Sequence, residues 1–312
     1  MSKHDWDKLL DDVLWADYEL NDDGEPLRMP NDLNAFYSDY WAHTECNDAE
    51  SAAFQRRIFA AMFPGHEKMS FSGRVLDVGC GSGVAARAFF RDFSQISYTG
   101  VDSSDSIAQA GKEFLAAGLS GKFIKALIEN LPFPAESFDI VFCVGVLHYL
   151  DYPKEAVRAL HRVLRRGGLL IVWLYKEPPP ARQLSDSFLR AILNGKSPAE
   201  SSTLLESLTR LGMLLGQSTA TVSVSEGDPL APAGTYALQR FIYYYVMKLF
   251  YSSDLSFERH LMQNLNSFYP QNVRMMPITE IAEMFAPYER VLWNEQGNGV
   301  AAILRKSEDT PR

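Results

Sequence analysis

The sequence predicts an α/β protein built on a parallel sheet with helices on both faces. Short β runs and helical runs alternate across residues 74–175, the signature of consecutive strand–helix–strand units. Two of those β runs, 138–144 and 169–175, are continuously apolar, as expected of strands covered on both faces. The first β run enters a helical run through a glycine-rich turn, Gly79-Cys80-Gly81-Ser82-Gly83.

The elements follow in order. Trp6, Leu9, Leu10, Val13 and Leu14 recur at helical spacing within 5–20, and Asn21-Asp22-Asp23-Gly24 with Pro26 ends that run. A second helix spans 49–62 and stops at Pro64-Gly65. Strands are then predicted over 74–78, 96–101, 122–126, 138–144 and 169–175, with helices over 84–93, 104–117 and 153–164. Pro178-Pro179-Pro180 interrupts the alternation, and 181–270 reads as helices and loops. Ser197-Pro198 starts one of them, with Ser as cap and Pro at the first helical position. Residues 236–251 read as an aromatic-rich helix. The sheet pattern returns with a helix over 279–285 and strands over 290–294 and 300–304, joined by a hairpin turn at Gln296-Gly297-Asn298-Gly299.

At 312 residues the chain suits one large domain, or one domain with a sizeable insertion. Its 46% hydrophobic and 22% charged residues are ordinary for a soluble globular protein. The net charge of −9 argues against broad contact with a phosphate backbone. Cys46, Cys80 and Cys143 are widely spaced and odd in number, so they suggest reduced thiols rather than a disulfide framework. The six histidines show no metal-ligand spacing, and no metal is expected. The first twelve residues are acidic and lack an apolar core, unlike a signal peptide. The apolar stretch 241–250 is too short to span a bilayer and contains Lys248. A cytoplasmic location is therefore expected.

The glycine-rich turn carries the strongest functional signal. Glycines allow a sharp turn and close approach of backbone to a ligand. A dinucleotide fingerprint places its third glycine at the sixth position. Here that position is Val84, and the glycine comes one residue early. Asp77 also precedes Gly79 by two residues, where it would repel a pyrophosphate but tolerate an amino-acid end. Asp102 closes the second strand, where an acid can accept from both ribose hydroxyls.

With these residues the sequence resembles the class I S-adenosylmethionine-dependent methyltransferases, in particular their ubiquinone-biosynthesis-like, type 11 branch. The matching motifs run in order: 75–83, Val101-Asp102, Leu131-Pro132-Phe133-Pro134 through Phe138-Asp139, 146–150, and 162–168 with Arg166 in place of the family's Pro. They cover about 72–176. The resemblance implies a Rossmann-like, doubly wound, seven-stranded sheet of order 3-2-1-4-5-7-6 with the last strand antiparallel. It implies a core at 71–176, an N-terminal helical lid at 1–70, a helical substrate cap at 177–277, and a C-terminal helix and hairpin at 278–312.

S-adenosyl-L-methionine is the cofactor so implied, and S-adenosyl-L-homocysteine its product. Asp77, Gly79, Cys80 and Gly81 would hold its methionine end, Asp102 the ribose, and Ser103 would lie beside the adenine. Cys143 would line the methyl side through its backbone. Many relatives carry an Asp four residues before the Leu-Pro-Phe; this chain has Leu127 there, followed by Ile128. Backbone N–H groups and apolar packing would replace that contact.

A small, hydrophobic or aromatic acceptor is expected, methylated on oxygen, carbon or nitrogen. The chain lacks the Asn/Asp-Pro-Pro motif of amino-methylating DNA enzymes and the Pro-Cys of cytosine C5 enzymes. A tRNA or protein methyltransferase is the alternative within the class, and a non-catalytic cofactor-binding module the alternative outside it. His148 follows the fourth strand and is the candidate base, the other reading being a brace for its loop. Tyr37, Tyr40 and Trp41 are lid candidates, or packing anchors for the N-terminal helices. Tyr244 is the candidate pocket residue of the aromatic helix, or part of its core. A monomer or homodimer is expected.

Overall fold

The structure, a computed structural model, describes residues 36–37, 49–90 and 95–308. The expected helix over 5–20, the turn after it, and Tyr40, Trp41 and Cys46 lie outside the described residues.

The chain forms two compact units. The first comprises 1–174 with 280–295 and 300–312; the second comprises 175–279 with 296–299. Helix α1 (Ala49–Met62) leads into β1 (Gly73–Val78), α2 (Val84–Phe89), β2 (Ile96–Asp102), α3 (Ser106–Ala116), β3 (Lys122–Lys125), β4 (Phe138–Val144), α4 (Pro153–Val163) and β5 (Leu164–Tyr175). The second unit contributes α5 (Pro180–Leu193), α6 (Pro198–Gln217), β6 (Thr221–Val224), β7 (Gly234–Ala237), α7 (Leu238–Phe241) and α8 (Phe257–Phe268). Helix α9 (Ile278–Met284), β8 (Tyr288–Glu295) and β9 (Gly299–Lys306) follow.

The central sheet has the order β3-β2-β1-β4-β5-β9-β8. Numbered within that sheet alone, it is 3-2-1-4-5-7-6. Strands β1 to β5 pair in parallel, and β9 runs antiparallel to β8. The hairpin turn closes through Gln296 N–H donating to the Gly299 carbonyl at 2.8 Å.

The core is rich in aromatic rings. Phe89 of α2 meets Phe59 of α1 at 5.5 Å and Phe142 of β4 at 5.2 Å. Val300 to Leu304 are fully buried. Val300, Ile303 and Leu304 each contribute roughly 1.5–3 kcal/mol by leaving water. Arg162, in the last turn of α4, donates to the Leu131 and Phe133 carbonyls at 2.7 and 2.5 Å. It thereby ties two of the sequence motifs together.

Three expectations need correction. Strand β5 starts at Leu164 rather than 169, because Leu164 already pairs with Phe138 before the register jumps to Ile140 opposite Leu169. The second unit is not only helices and loops: β6 and β7 form a two-stranded antiparallel sheet. No helix spans 236–251. Gly234–Ala237 is strand, Leu238–Phe241 is one α turn, and Ile242–Val246 is wound as a π turn. Met247 N–H closes that turn on the Ile242 carbonyl at 2.8 Å, and Met247 is itself extended. The aromatic run has no period that would mark one buried face, so its side chains pack on several sides and the helix stops early.

In contrast, the start of α6 is as expected. The Ser197 hydroxyl accepts from Glu200 N–H, and the Glu200 carboxylate accepts from Ser197 N–H at 2.8 Å. This is a reciprocal cap that leaves neither donor orphaned.

Candidate active site

The site lies at the carboxyl ends of β1, β2 and β4 in the first unit, where open α/β sheets bind ligands. Strand β1 is central, paired on both sides, so Asp77 near its end is only 2% exposed. Its neighbour across the ladder in β2 is Gly100. That glycine offers no side chain, and Tyr98, two residues earlier on the same strand, reaches diagonally instead. The Tyr98 hydroxyl donates to Asp77 Oδ2 at 2.6 Å. Burial pushes the Asp77 carboxyl up to about 7; the Tyr98 hydrogen bond opposes this, and the nearby Asp102 charge adds to it.

After β1 the backbone turns back over β2, with Gly79 and Cys80 N–H groups donating to the Val101 carbonyl at 2.7 and 3.0 Å. Gly79 adopts φ +73°, and a Cβ there would stand 2.3 Å from Val146 Cγ2. A side chain at this position would clash and strain the backbone. Gly81 N–H donates to Asp102 Oδ2 at 2.8 Å, and the Ser104 amide and hydroxyl donate to Asp102 Oδ1 at 2.8 and 2.6 Å. Asp102 therefore fixes the glycine turn to the end of β2 and holds its own two oxygens in place. Each carboxylate oxygen has two acceptor positions, so capacity remains for a ligand hydroxyl. Asp102 accepts from Ser104 rather than capping α3, whose N-cap residue Asp105 makes no side-chain cap.

The remaining cofactor candidates fall around this turn. Ser103 is half-buried directly after Asp102. Leu127 is half-buried and extended, and Ile128 is buried at the start of a single 3₁₀ turn, Ile128–Asn130. The buried Cys80 thiol packs beneath the turn beside Gly100, and Cys143 is fully buried in β4. Burial pushes both thiols up, so neither is a ready nucleophile. Beyond β4, Gly145 has φ +83°, and no heavy atom of the described residues lies within 4 Å of where its Cβ would be. Among the described residues, open space therefore adjoins the end of β4.

His148 sits in the 3₁₀ turn Leu147–Tyr149 and is 1% exposed. Its ring lies 4.3 Å from the Tyr149 ring and meets Trp173 of β5 edge-on at 5.6 Å. Tyr37 packs edge-on against Tyr149 at 5.7 Å. The lid candidate Tyr37 and the candidate base His148 thus share one aromatic neighbour. Tyr244 belongs to the second unit, where its ring occupies the space a Cβ at Gly297 would need. Sequence reasoning missed Tyr98, Ser104 and Gly145 as site residues, since only the strand register and the loop geometry give them a role. Among the described residues, no group of acidic, histidine or cysteine side chains is placed to hold a metal.

The fold and this turn define a methyltransferase domain. Residues 76–172 match the methyltransferase-domain family of type 11, and that segment is a class I S-adenosylmethionine-dependent methyltransferase domain. The chain is 31% identical over 192 residues to a fatty-acid O-methyltransferase of Mycolicibacterium smegmatis, covering 58% of this chain and 61% of that protein. It is 30% identical over 125 residues to a ubiquinone biosynthesis O-methyltransferase of Pseudomonas entomophila, covering 38% and 52%. It is also similar to a solved S-adenosylmethionine-dependent methyltransferase from Aquifex aeolicus, at 14% identity and TM-score 0.41 over 81% of this chain and 98% of that one. The matched stretches thus span between half and about three-fifths of the two curated relatives.

The residues present fit S-adenosylmethionine. A buried acid stands where an ammonium end would lie and a second where ribose hydroxyls would. Leu127 and the buried Ile128 offer apolar surface to an adenine, and no described residue fills the space beside Gly145.

Proposed function

We propose that this chain transfers a methyl group from S-adenosylmethionine to a small, hydrophobic or aromatic acceptor. The observation that carries the reading is the pair of acids at the ends of adjacent strands, Asp77 and Asp102, joined by the glycine turn through Gly81 N–H and Asp102. The bound cofactor supplies an electrophilic methyl group on a sulfonium. Asp77, with the backbone of Gly79, Cys80 and Gly81, holds the methionine end. Asp102 takes the ribose hydroxyls, and Ser103, Leu127 and Ile128 flank the adenine. The backbone of Cys143 lines the methyl side. His148 takes the acceptor's proton, and its burial beside Tyr149 and Trp173 keeps bulk water from competing for that proton.

The second unit is inserted after Leu174, at the carboxyl end of β5, and we read it as the unit that recognises the acceptor. The names of the two curated relatives, one acting on a fatty acid and one in ubiquinone biosynthesis, support a small apolar acceptor. No helix among the described residues is long and apolar enough to cross a membrane.

Calorimetry with S-adenosylhomocysteine tests the reading. One site is expected, with Asp102→Ala weakening it at least tenfold, since a charge-assisted hydrogen bond is worth roughly 1.5–3 kcal/mol. Unchanged affinity in that variant would refute the ribose role. His148→Ala should lower kcat by about 10²–10⁴-fold and remove the neutral limb of the pH–rate profile, with cofactor affinity kept. A variant that keeps its rate makes His148 a brace.

A further inference from the structure

A cavity of about 440 Å³ lies between α4 and the α9–β8 junction of the first unit. That volume suits a small molecule. From α4 it is lined by Lys154, Val157, Arg158 and His161, which recur at i, i+3, i+4 and i+7 and so share one helix face. Glu283 and Met284 of α9 and Tyr288 of β8 line the other side. Tyr288 pairs with Lys306 across the β8–β9 ladder, and Lys306 donates to the His161 and Leu164 carbonyls. The His161–Tyr288 end therefore lies at the amino end of β5, the sheet edge opposite the glycine turn.

The lining sorts by chemistry. Val157 and Met284 are buried and form an apolar floor. Lys154 and Arg158, one turn apart, put two exposed cations on the α4 side. Their partners hold them loosely. Lys154 Nζ lies 3.9 Å from Glu280, and Arg158 Nη2 lies 3.2 Å from Glu155. Ion pairs of exposed side chains are weak, so both cations are free to turn to a ligand. Glu283 on the opposite side is exposed and forms no ion pair or hydrogen bond among the described residues. At the inner end the His161 ring meets the Tyr288 ring edge-on at 5.2 Å. The His161 ring nitrogens have no hydrogen-bond partner among the described residues. Burial and the Lys306 ammonium hold the His161 pKa down against the pull of Glu136, so near neutral pH one ring nitrogen accepts. The Tyr288 hydroxyl is buried and also unpartnered among the described residues. Buried polar groups are rarely left so, and a polar tip on a ligand answers that deficit.

We propose that this cavity binds a free aromatic amino acid whose side chain carries a polar tip. Two cations face one anion across an apolar floor, and the ligand that mirrors this carries a carboxylate, an ammonium and an apolar body. Lys154 and Arg158 take the carboxylate, and Glu283 takes the ammonium. Both charges on one α-carbon occur in a free amino acid and not within a peptide. The side chain runs along the Val157–Met284 floor to His161, one helical turn beyond Arg158, or about 5 Å along the axis. There a flat ring packs beside Tyr288, and its indole N–H or phenol O–H donates to His161. This site does not depend on the function proposed above.

The test is calorimetric titration of the full chain with L-tryptophan, beside tryptamine, which lacks the carboxylate, and indole-3-propionate, which lacks the ammonium. Tryptophan should bind about tenfold more tightly than either, since a charge-assisted hydrogen bond is worth roughly that factor. In Glu283→Gln, tryptophan affinity should fall to about that of indole-3-propionate, whose own affinity should not fall. In the double variant Lys154→Met, Arg158→Met, tryptophan should weaken likewise while tryptamine does not. All three side chains are exposed, so the melting transition should be retained. Saturating S-adenosylhomocysteine should leave tryptophan binding in place, because the two sites lie at opposite sheet edges. No tryptophan binding, equal binding of the three probes, displacement of tryptophan by S-adenosylhomocysteine, or equal losses for tryptophan and indole-3-propionate in Glu283→Gln overturns the proposal. Tryptophan binding by a chain that takes no S-adenosylhomocysteine would uphold this cavity and refute the methyltransferase reading alone.

Discussion

Asp77 shows how one residue joins folding to function. Its carboxyl is raised to about 7 mainly by burial, and Tyr98 holds it down from a higher value. A carboxyl whose folded-state value is raised favours the folded chain most below the unfolded value of 3.8, and that contribution is lost as pH rises through about 7. The ligand-free protein therefore bears the cost of this charge above neutrality, where the proposed function has the charge meet an ammonium group. S-adenosylhomocysteine affinity should fall as pH drops through about 7. Tyr98→Phe removes the hydrogen bond that favours the carboxylate, so the fall should begin at higher pH, with affinity recovered near pH 9. Asp77→Asn should abolish the pH dependence and raise the melting temperature at pH 8. A uniform loss of affinity in Tyr98→Phe at every pH would make Tyr98 a packing residue only. Asp77 was legible in the sequence because it stands two residues before the glycine turn, and Asp102 because it closes the second strand. Tyr98 was not, since its role depends on Gly100 facing Asp77 across the ladder, and register is invisible in one strand.

Among the elements, the turn between β1 and α2 is the least tolerant of change. Gly79→Ala would place a methyl group on Val146 at a left-handed φ. Strain of that kind costs on the order of 1–3 kcal/mol, so the variant should melt several degrees lower and lose most of its S-adenosylhomocysteine affinity. Normal melting and binding would show that the 146–149 segment moves aside freely. Element by element, the sequence was most readable where hydrophobic period and punctuation agree. Helix α1 over 49–62 and strand β4 over 138–144 have the expected limits. It was least readable in the second unit. Thr221-Val222-Ser223-Val224 alternates for only four residues, and its partner lies beyond a nine-residue loop carrying Gly227, Pro229 and Pro232. The aromatic run at 241–251 is apolar at almost every position, so it marks burial without marking where the helix stops.

On the scale of the whole molecule, the sheet order followed from the family resemblance and not from periodicity, which counts strands without ordering them. The order makes the C-terminal hairpin indispensable. Strand β9 inserts between β5 and β8, and Lys306 Nζ donates to the His161 and Leu164 carbonyls at 2.8 and 2.7 Å, fastening the end of β9 to the α4–β5 junction. A chain cut after residue 287 would leave the β5 edge unpaired and the apolar face met by Val300 to Leu304 uncovered. It should lose cooperative thermal unfolding and aggregate, as followed by calorimetry and light scattering. A truncated chain that melts cooperatively would show that β1 to β5 suffice for the core.

The same placement of β9 sets a timetable during synthesis. Strand β5 leaves the ribosome about 130 residues ahead of the strand that will pair with its open edge. At 5–20 residues per second, that interval lasts on the order of ten seconds. The 105 residues of 175–279 emerge within it and are free to assemble their own interior first. The nascent chain thus spends that wait with one sheet edge unsatisfied, a template for wrong pairing until β9 arrives.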